Sequence, residues 1–385
     1  MLTLRVPLPR FLSAGEVVMG RGSVGALRAL GAARAALVVT PAIAAAPETL
    51  DQLRRAVGAH VVEVIVLPRG EPELAALGPA LAALTRFAPD WIVAVGGGSA
   101  IDGARVLWIF YEHPDLPLEQ LRRPFALPPL RGRARLAAVP TTTGTGAEVS
   151  SAAVFSEATT GRKLAIVSHD LLPDLAVLDP ELLVHVPRAA LAAAALDALA
   201  HALEGYGSRL ANPLADQFAE SAAAVLLRDA RRVIDDPQNM ADRLALQVAA
   251  LQAGWVQNLK VPGIGHALAH QLGACGLPHG GACGLLLVAA LQANCAAEPR
   301  TGERYAALAR RLGFSDETRL FDSLARLRDD LGWSGGLAAH ARGGRPAIAL
   351  ATDTIVAGAG LDPCATANPV PYSPELARRV LQHAL

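Results

Sequence analysis

WIVAVGGGSAIDGARV, residues 91–106, decides how this chain is read. A wholly apolar run enters three glycines, a serine, and then a segment of helical composition. Continuous apolar runs suit strands covered on both faces, as in parallel sheets. Gly96, Gly97 and Gly98 would let a pyrophosphate approach the backbone. The N–H groups and dipole of the following helix favour its negative charge. Ser99 is placed to cap that helix and touch phosphate. A tight turn alone calls for a single glycine, so three in a row point to a ligand.

The same texture recurs on either side. AALVVT (35–40), VVEVIVL (61–67) and RLAAVPTT (135–142) read as strands, and AVLDPELLVHVP (176–187) as a last strand and its exit. Helical patterns such as LDQLRRAVG and LAALGPALAALTRF lie between them. This alternation implies a doubly wound α/β domain with a parallel, Rossmann-like sheet. RPFALPPLRGRAR (123–135) reads as a surface loop. PTTTGTGAE (140–148) is a second Gly/Thr turn after a strand. Two such turns at C-terminal strand ends suggest a nucleotide crevice. MGRGSVG also holds G-x-G-x-x-G, at Gly20, Gly22 and Gly25, after a strand-like EVV. The acidic residue expected about 20 positions later is missing, so it reads as a tight turn without a ligand.

After Pro187 β-rich runs become scarce. RAALAAAALDALAHALEGYGS opens a succession of helical segments that lasts to Leu385. The division is an α/β nucleotide-binding domain at 1–186 and an all-α metal-binding domain at 187–385. Length agrees with about two domains. Hydrophobic residues make up 52% of the chain, enough for large cores. No apolar run is read as long enough to cross a bilayer, and the first residues lack a signal-peptide pattern. A cytoplasmic protein is expected. Formal net charge is zero, which argues against nucleic-acid or membrane partners. Four scattered cysteines without a C-x-x-C pair exclude a disulfide framework and a zinc knuckle.

The helical half carries the chemistry. HALAHQLGACGLPHG (266–280) holds His266, His270 and His279, and LDALAHALE holds Asp197 and His201. Residues four apart share a helix face, so His266 and His270 can face one space, as can Asp197 and His201. The Asp197 helix is apolar almost all round. A buried carboxylate and imidazole need partners, and a divalent metal satisfies both.

Taken together, GGGSAID, PTTTGTGAE, DALAH with NPLAD, GHALAH with PHG, and DPCATANP resemble the iron-containing (group III) alcohol dehydrogenase family, in its order and over nearly the whole chain. The resemblance implies a dehydroquinate synthase-like architecture with the active site in the cleft between the domains. It implies metal ligands Asp197, His201, His266 and His279, with His270 beside the metal as proton relay. Gly97, Gly98 and Ser99 would meet the pyrophosphate. Asp102, Thr141, Thr142 and Thr145 would line the cofactor cleft, and Lys163, one of two lysines, would reach the cofactor. The implied reaction moves hydride between a small alcohol or aldehyde and NAD or NADP, the alkoxide held on a divalent metal, iron(II) ahead of zinc(II). A homodimer or larger homo-oligomer is expected.

Three departures stand out. Arg105 occupies a position where the family usually has lysine. The gap between His266 and His279 is one residue short. Pro41 stands where NAD-preferring relatives carry Asp, which permits NADP. By rough family position, Ala152, Gln257 and Cys364 would border the substrate. The rivals are a cyclising lyase of the dehydroquinate synthase type, a metal-free reductase, and a scaffold with a vestigial site. The lyase would need cations near the metal, and around 250–290 only Lys260 is present.

Overall fold

The computed structural model describes residues 11–70, 72–156, 163–184 and 186–385; the side chains of Ser156, Lys163 and Leu164 lie outside that description. Its strands are β1 (Glu16–Met19), β2 (Arg34–Val39), β3 (Val61–Val66), β4 (Trp91–Gly96), β5 (Arg135–Pro140), β6 (Ala152–Ser156), β7 (Lys163–Val167) and β8 (Leu175–Leu178). Six form one sheet in the order β1-β8-β5-β4-β2-β3, and every pairing is parallel. All six residues of β4 are buried, and β2 and β5 are buried after their first residue. The expected parallel sheet is therefore present, with apolar cores on both faces.

Two strands went unread. β6 and β7 form a separate antiparallel hairpin. AAVFS carries a single β-branched residue, so its strand signal is thin. The Gly20–Gly22 turn is as expected. Gly20 and Gly22 have φ of 124° and 77°. The Asp179 carboxylate accepts the Val24 N–H at 3.0 Å, so this first-turn donor already has a partner within the protein.

From Arg188 onward the described residues are helical and contain no strand. The long helices Arg188–Gly207, Pro213–Asp235, Met240–Lys260 and His279–Ala297 pack together. Their starts obey local rules: Asn212 and Asn239 side chains accept N–H groups of the first turn, and Pro213 occupies the first helical position. One expectation is corrected here. His279–Ala297 is long and apolar enough to cross a membrane by composition, but most of it is buried inside the protein. Its apolar surface serves the core, and no segment is needed in a bilayer to explain it.

The two halves meet along the strip Thr141–Ser151 and where the Met240–Lys260 helix packs on β8 and the turn at Pro180–Leu183. Gly144 lies against the Ala194 backbone of the Arg188–Gly207 helix, where an added Cβ would stand 2.7 Å from the Ala194 carbonyl oxygen. Gly146 and Gly254 touch main chain to main chain. Asn258 accepts both the N–H and the hydroxyl of Ser151, at 2.8 and 2.5 Å. Gln257 donates to the Thr145 carbonyl.

Candidate active site

A cleft of about 520 Å³ opens at the C-terminal ends of β2, β3, β4 and β5. Gly97, Ser99, Thr141 and Thr142 line it, together with Thr40–Ile43, Leu67–Gly70 and Leu182. Open α/β sheets bind ligands at strand ends of this kind. The helix Gly98–Glu112 starts here with Gly97 as N-cap and no side-chain cap. Ser99 is exposed to the cleft and does not cap the helix. The uncapped first turn leaves N–H groups for an anion.

The glycines also have a structural reason that the sequence did not disclose. Gly96 has φ 154°, and a Cβ there would stand 2.5 Å from the Ala100 Cβ. A Cβ on Gly97 would meet Thr142 at 3.2 Å, and one on Gly98 would meet Thr145 at 2.7 Å. The two turns pack directly on each other, so three glycines are needed even before a ligand arrives. Gly98 and Thr145 accordingly sit behind the lining rather than on it.

Asp102 is also behind it. Its carboxylate pairs with Arg105 at 3.2 Å and accepts the Val154 N–H at 3.0 Å. Arg105 is fully buried. Besides Asp102, its guanidinium donates to the carbonyls of Leu171, Ala152, Ala147 and Ser150 at 3.0, 3.0, 2.6 and 2.7 Å. Arginine therefore clamps the strip that joins the halves, a task a three-donor ammonium would perform less completely. Lys163 begins β7, and its side chain lies outside the described residues.

The metal-ligating candidates converge between three helices. Asp197 and His201 come from Arg188–Gly207, His266 from Ile264–Ala269, and His279 opens His279–Ala297. Asp197 Oδ1 lies 3.5 Å from His266 Nε2 and 3.5 Å from His279 Nε2. Bonds of about 2.0–2.3 Å would set tetrahedral donors about 3.3–3.8 Å apart, so these spacings suit a small divalent ion. Cys283, one turn beyond His279, joins them: one donor atom from each of Asp197, His266, His279 and Cys283 lies within 4.8 Å of the others. His201 stands beside this group, stacked on His266 with ring centroids 4.4 Å apart.

Within this donor group and beside it, three buried side-chain atoms have no hydrogen-bond partner: Asp197 Oδ1, His201 Nδ1 and His266 Nε2. Orphaned polar atoms in a core are costly, and here they are all potential metal donors. Glu204 orients the set. It accepts His266 Nδ1 at 2.6 Å and the N–H groups of Gly265 and His266 at 2.7 and 3.0 Å. With the proton on Nδ1, the His266 Nε2 lone pair points inward, as second-sphere carboxylates achieve at metal sites.

The charges agree. Burial would raise the Asp197 pKa, but His201, His279 and His266 overcome that and hold its carboxyl well below the usual range. Burial drives His201 down to about 3, so it is neutral. Burial opposes charge on His266, yet the Asp197 and Glu204 carboxylates beside it outweigh that and lift its pKa; Cys283, pushed up to about 12 by burial, stays a neutral thiol. The Asp197 corner thus calls for a cation, and a proton on His266 is the smallest that can answer.

His270 is not within that donor group. Its Nδ1 lies 2.7 Å from Asp362, and its ring stacks on His279 at 4.9 Å. Asp362 and Cys364 gather with it in a second cluster. Of the residues expected to border a substrate, Cys364 is buried in this cluster, Gln257 is tied to Thr145, and Ala152 is held through its carbonyl by Arg105.

Residues 14–180 match the family described as iron-containing alcohol dehydrogenase, and residues 191–385 match its C-terminal region. The chain belongs to the iron-containing alcohol dehydrogenase family. It is 31% identical over 333 residues to the NADPH-dependent butanol dehydrogenase of Clostridium saccharobutylicum, covering 85% of this chain and 83% of that one. It is 30% identical over 375 residues to the 1-propanol dehydrogenase PduQ of Salmonella typhimurium, covering 95% and 97%. Its fold superposes on the sulfoacetaldehyde reductase of Bifidobacterium kashiwanohense in complex with NAD+ with a TM-score of 0.88, at 25% identity, covering 98% of both chains. As a member of this iron-containing family, the protein is an enzyme, an alcohol/aldehyde oxidoreductase.

Sequence reading missed three residues. Glu204 follows Asp197 and His201 at seven and three positions, on the same helix face, so its signal was present. Cys283 follows His279 by four, with the same kind of signal. Asp362 is 92 residues from His270, and no local pattern joins them.

Proposed function

We propose that the enzyme is a metal-dependent dehydrogenase or reductase of small alcohols and aldehydes, using NAD(P) bound in the strand-end cleft of a 1–186 domain. Asp197, His201, His266 and His279, from a 187–385 domain, would hold a divalent ion, iron(II) ahead of zinc(II). The observation that carries this reading is the set of orphaned buried donors: Asp197 Oδ1, His201 Nδ1 and His266 Nε2 have no other partner. An ion there supplies Lewis acidity, lowering the pKa of a bound hydroxyl as it lowers that of water.

The protein's own groups do the rest. Gly97, Gly98 and Ser99 seat the cofactor pyrophosphate on the helix N-terminus. Thr141 and Thr142 border the cofactor, and Asp102 and Thr145 support the cleft wall from behind. Lys163 is assigned to the cofactor from its place in the sequence. His270, oriented by Asp362, passes the alcohol proton towards solvent, a task that a histidine side chain can perform in either direction. Glu204 holds His266 in the ligating tautomer. Butanol and propanol, named for the two relatives, mark the substrate size to test first.

His266→Ala should abolish bound metal and turnover together, measured by elemental analysis and by NAD(P)H absorbance with an alcohol and aldehyde panel. Full turnover by a metal-free His266→Ala enzyme would overturn the reading.

A further inference from the structure

We infer that the cleft selects the 2′-phosphorylated cofactor, NADP(H) over NAD(H), and that Arg69 is the residue that recognises the 2′-phosphate. This rests on the cleft being the nicotinamide-nucleotide site. From the helix N-terminus at Gly97–Ser99, the cleft runs outward past the end of β2 at Thr40–Ile43 and reaches Leu67–Gly70 after β3. That order follows the sheet, in which β4 neighbours β2 and β2 neighbours β3. A pyrophosphate seated at Gly97–Ser99 therefore sends its adenosine across β2 towards β3.

In dinucleotide folds a carboxylate at the second strand's end binds the ribose 2′-hydroxyl, and a nearby arginine instead accommodates a 2′-phosphate. Here Thr40 and Pro41 follow β2, and the Thr40 hydroxyl is already used as the N-cap acceptor for the Ile43 N–H. Among the described residues lining the cleft there is no Asp or Glu, and Arg69 is the one charged residue. Arg69 is exposed and has no ion-pair partner among the described residues. A solvated arginine without a structural task, facing a nucleotide cleft, is well suited to a bidentate phosphate contact.

A second feature points the same way. Ala46 and Thr49, which line the cleft, belong to the start of the helix Pro47–Val57, whose N-cap offers no side-chain bond. Its dipole adds favourable potential for an anion near Arg69. A doubly charged 2′-phosphate would meet one full cation and one helix N-terminus, whose first turn also carries Glu48, with no carboxylate among the described lining residues.

The test is direct binding by calorimetry, using the purified full-length enzyme with NADPH, NADH, adenosine 2′,5′-bisphosphate and AMP. NADPH should bind at least about tenfold tighter than NADH, and the bisphosphate tighter than AMP, because a charge-assisted contact is worth about ten- to hundredfold in affinity. Arg69→Ala should remove most of that preference while leaving NADH affinity within about twofold, and Arg69→Lys should restore part of it. Equal affinity for NADPH and NADH in the wild type, or an equal loss for both in Arg69→Ala, overturns the inference and leaves the cofactor site standing. Failure to bind either dinucleotide overturns the cofactor reading of the cleft as well.

Discussion

Replacing Glu204 by glutamine isolates what holds the metal-facing histidine. The carboxylate accepts three hydrogen bonds in a buried place: Gly265 N–H on Oε1, and His266 N–H and Nδ1 on Oε2. A glutamine keeps the shape but turns one oxygen into a donor. Its better orientation keeps the oxygen towards His266 and sacrifices Gly265, leaving one buried N–H facing an NH2 group. That unsatisfied donor costs about 1–3 kcal/mol, and the two remaining bonds lose their charge assistance, so a stability loss of about 2–4 kcal/mol is expected. His266 also loses the anion behind it and becomes a poorer ligand. Second-sphere losses of this kind weaken metal affinity about 10–100-fold. Urea unfolding of the metal-free enzyme reads the first quantity, and zinc competition against a chromophoric chelator reads the second. The reasoning is refuted if Glu204→Gln is destabilised but binds zinc within about twofold of the wild type, since Glu204 would then be a strut alone.

Three further outcomes are expected. Arg105→Lys offers three donors to five acceptors, so at least two buried acceptors lose a partner. It should lower unfolding free energy by about 2–6 kcal/mol in urea melts, although lysine is the family's usual residue there. Burial lifts the Glu148 carboxyl from 4.5 to about 7. The folded state holds that proton more tightly than the unfolded one. Stability is therefore full below about pH 4.5 and is lost as pH rises through about 7, by up to about 3 kcal/mol. Glu148→Gln should abolish this loss, so its melting-temperature advantage over the wild type should grow between about pH 5 and about pH 8. Gly254→Ala would push a methyl to 2.7 Å from the Gly146 Cα, with main chain on both sides unable to yield. It should raise KM for the dinucleotide as the Thr141–Ser151 strip shifts, with a melting temperature below that of the wild type.

The sheet was legible because fully buried parallel strands print as unbroken apolar runs: β2, β4 and β5 each stand where such a run ends in a turn. The hairpin β6–β7 was not, because half-covered short strands lose that contrast. Asp197 with His201, and His266, were legible through helical spacing on apolar faces. The same spacing carried Glu204 and Cys283, but a glutamate or cysteine on a helix is too common a sight to attract notice without a histidine to orient. Spacing also placed His270 with His266; the fold separates them by giving His270 a distant carboxylate, Asp362. The three glycines at 96–98 were read as room for a ligand. The structure shows that much of that room is taken by Thr142 and Thr145, a contact between segments some forty residues apart that no local pattern announces. Likewise, the uncharged length of His279–Ala297 says only that the helix avoids water, not whether protein or lipid surrounds it.

The strip Thr141–Ser151 works like the fixed jaw of a caliper. One side of it bears on the glycine turn where a nucleotide would sit, and the other bears on the helices that carry the metal donors. On the helix side the bearings at Gly144, Gly146 and Gly254 are main chain on main chain, so backbone thickness sets that spacing, whereas on the glycine-turn side the Thr142 and Thr145 side chains fill the gap. Gln257 belongs to the helix-side bearing through its bond to Thr145, so a change there would move the strip along with anything beside it. An engineer reshaping the cleft should leave Gly144, Gly146 and Gly254 untouched.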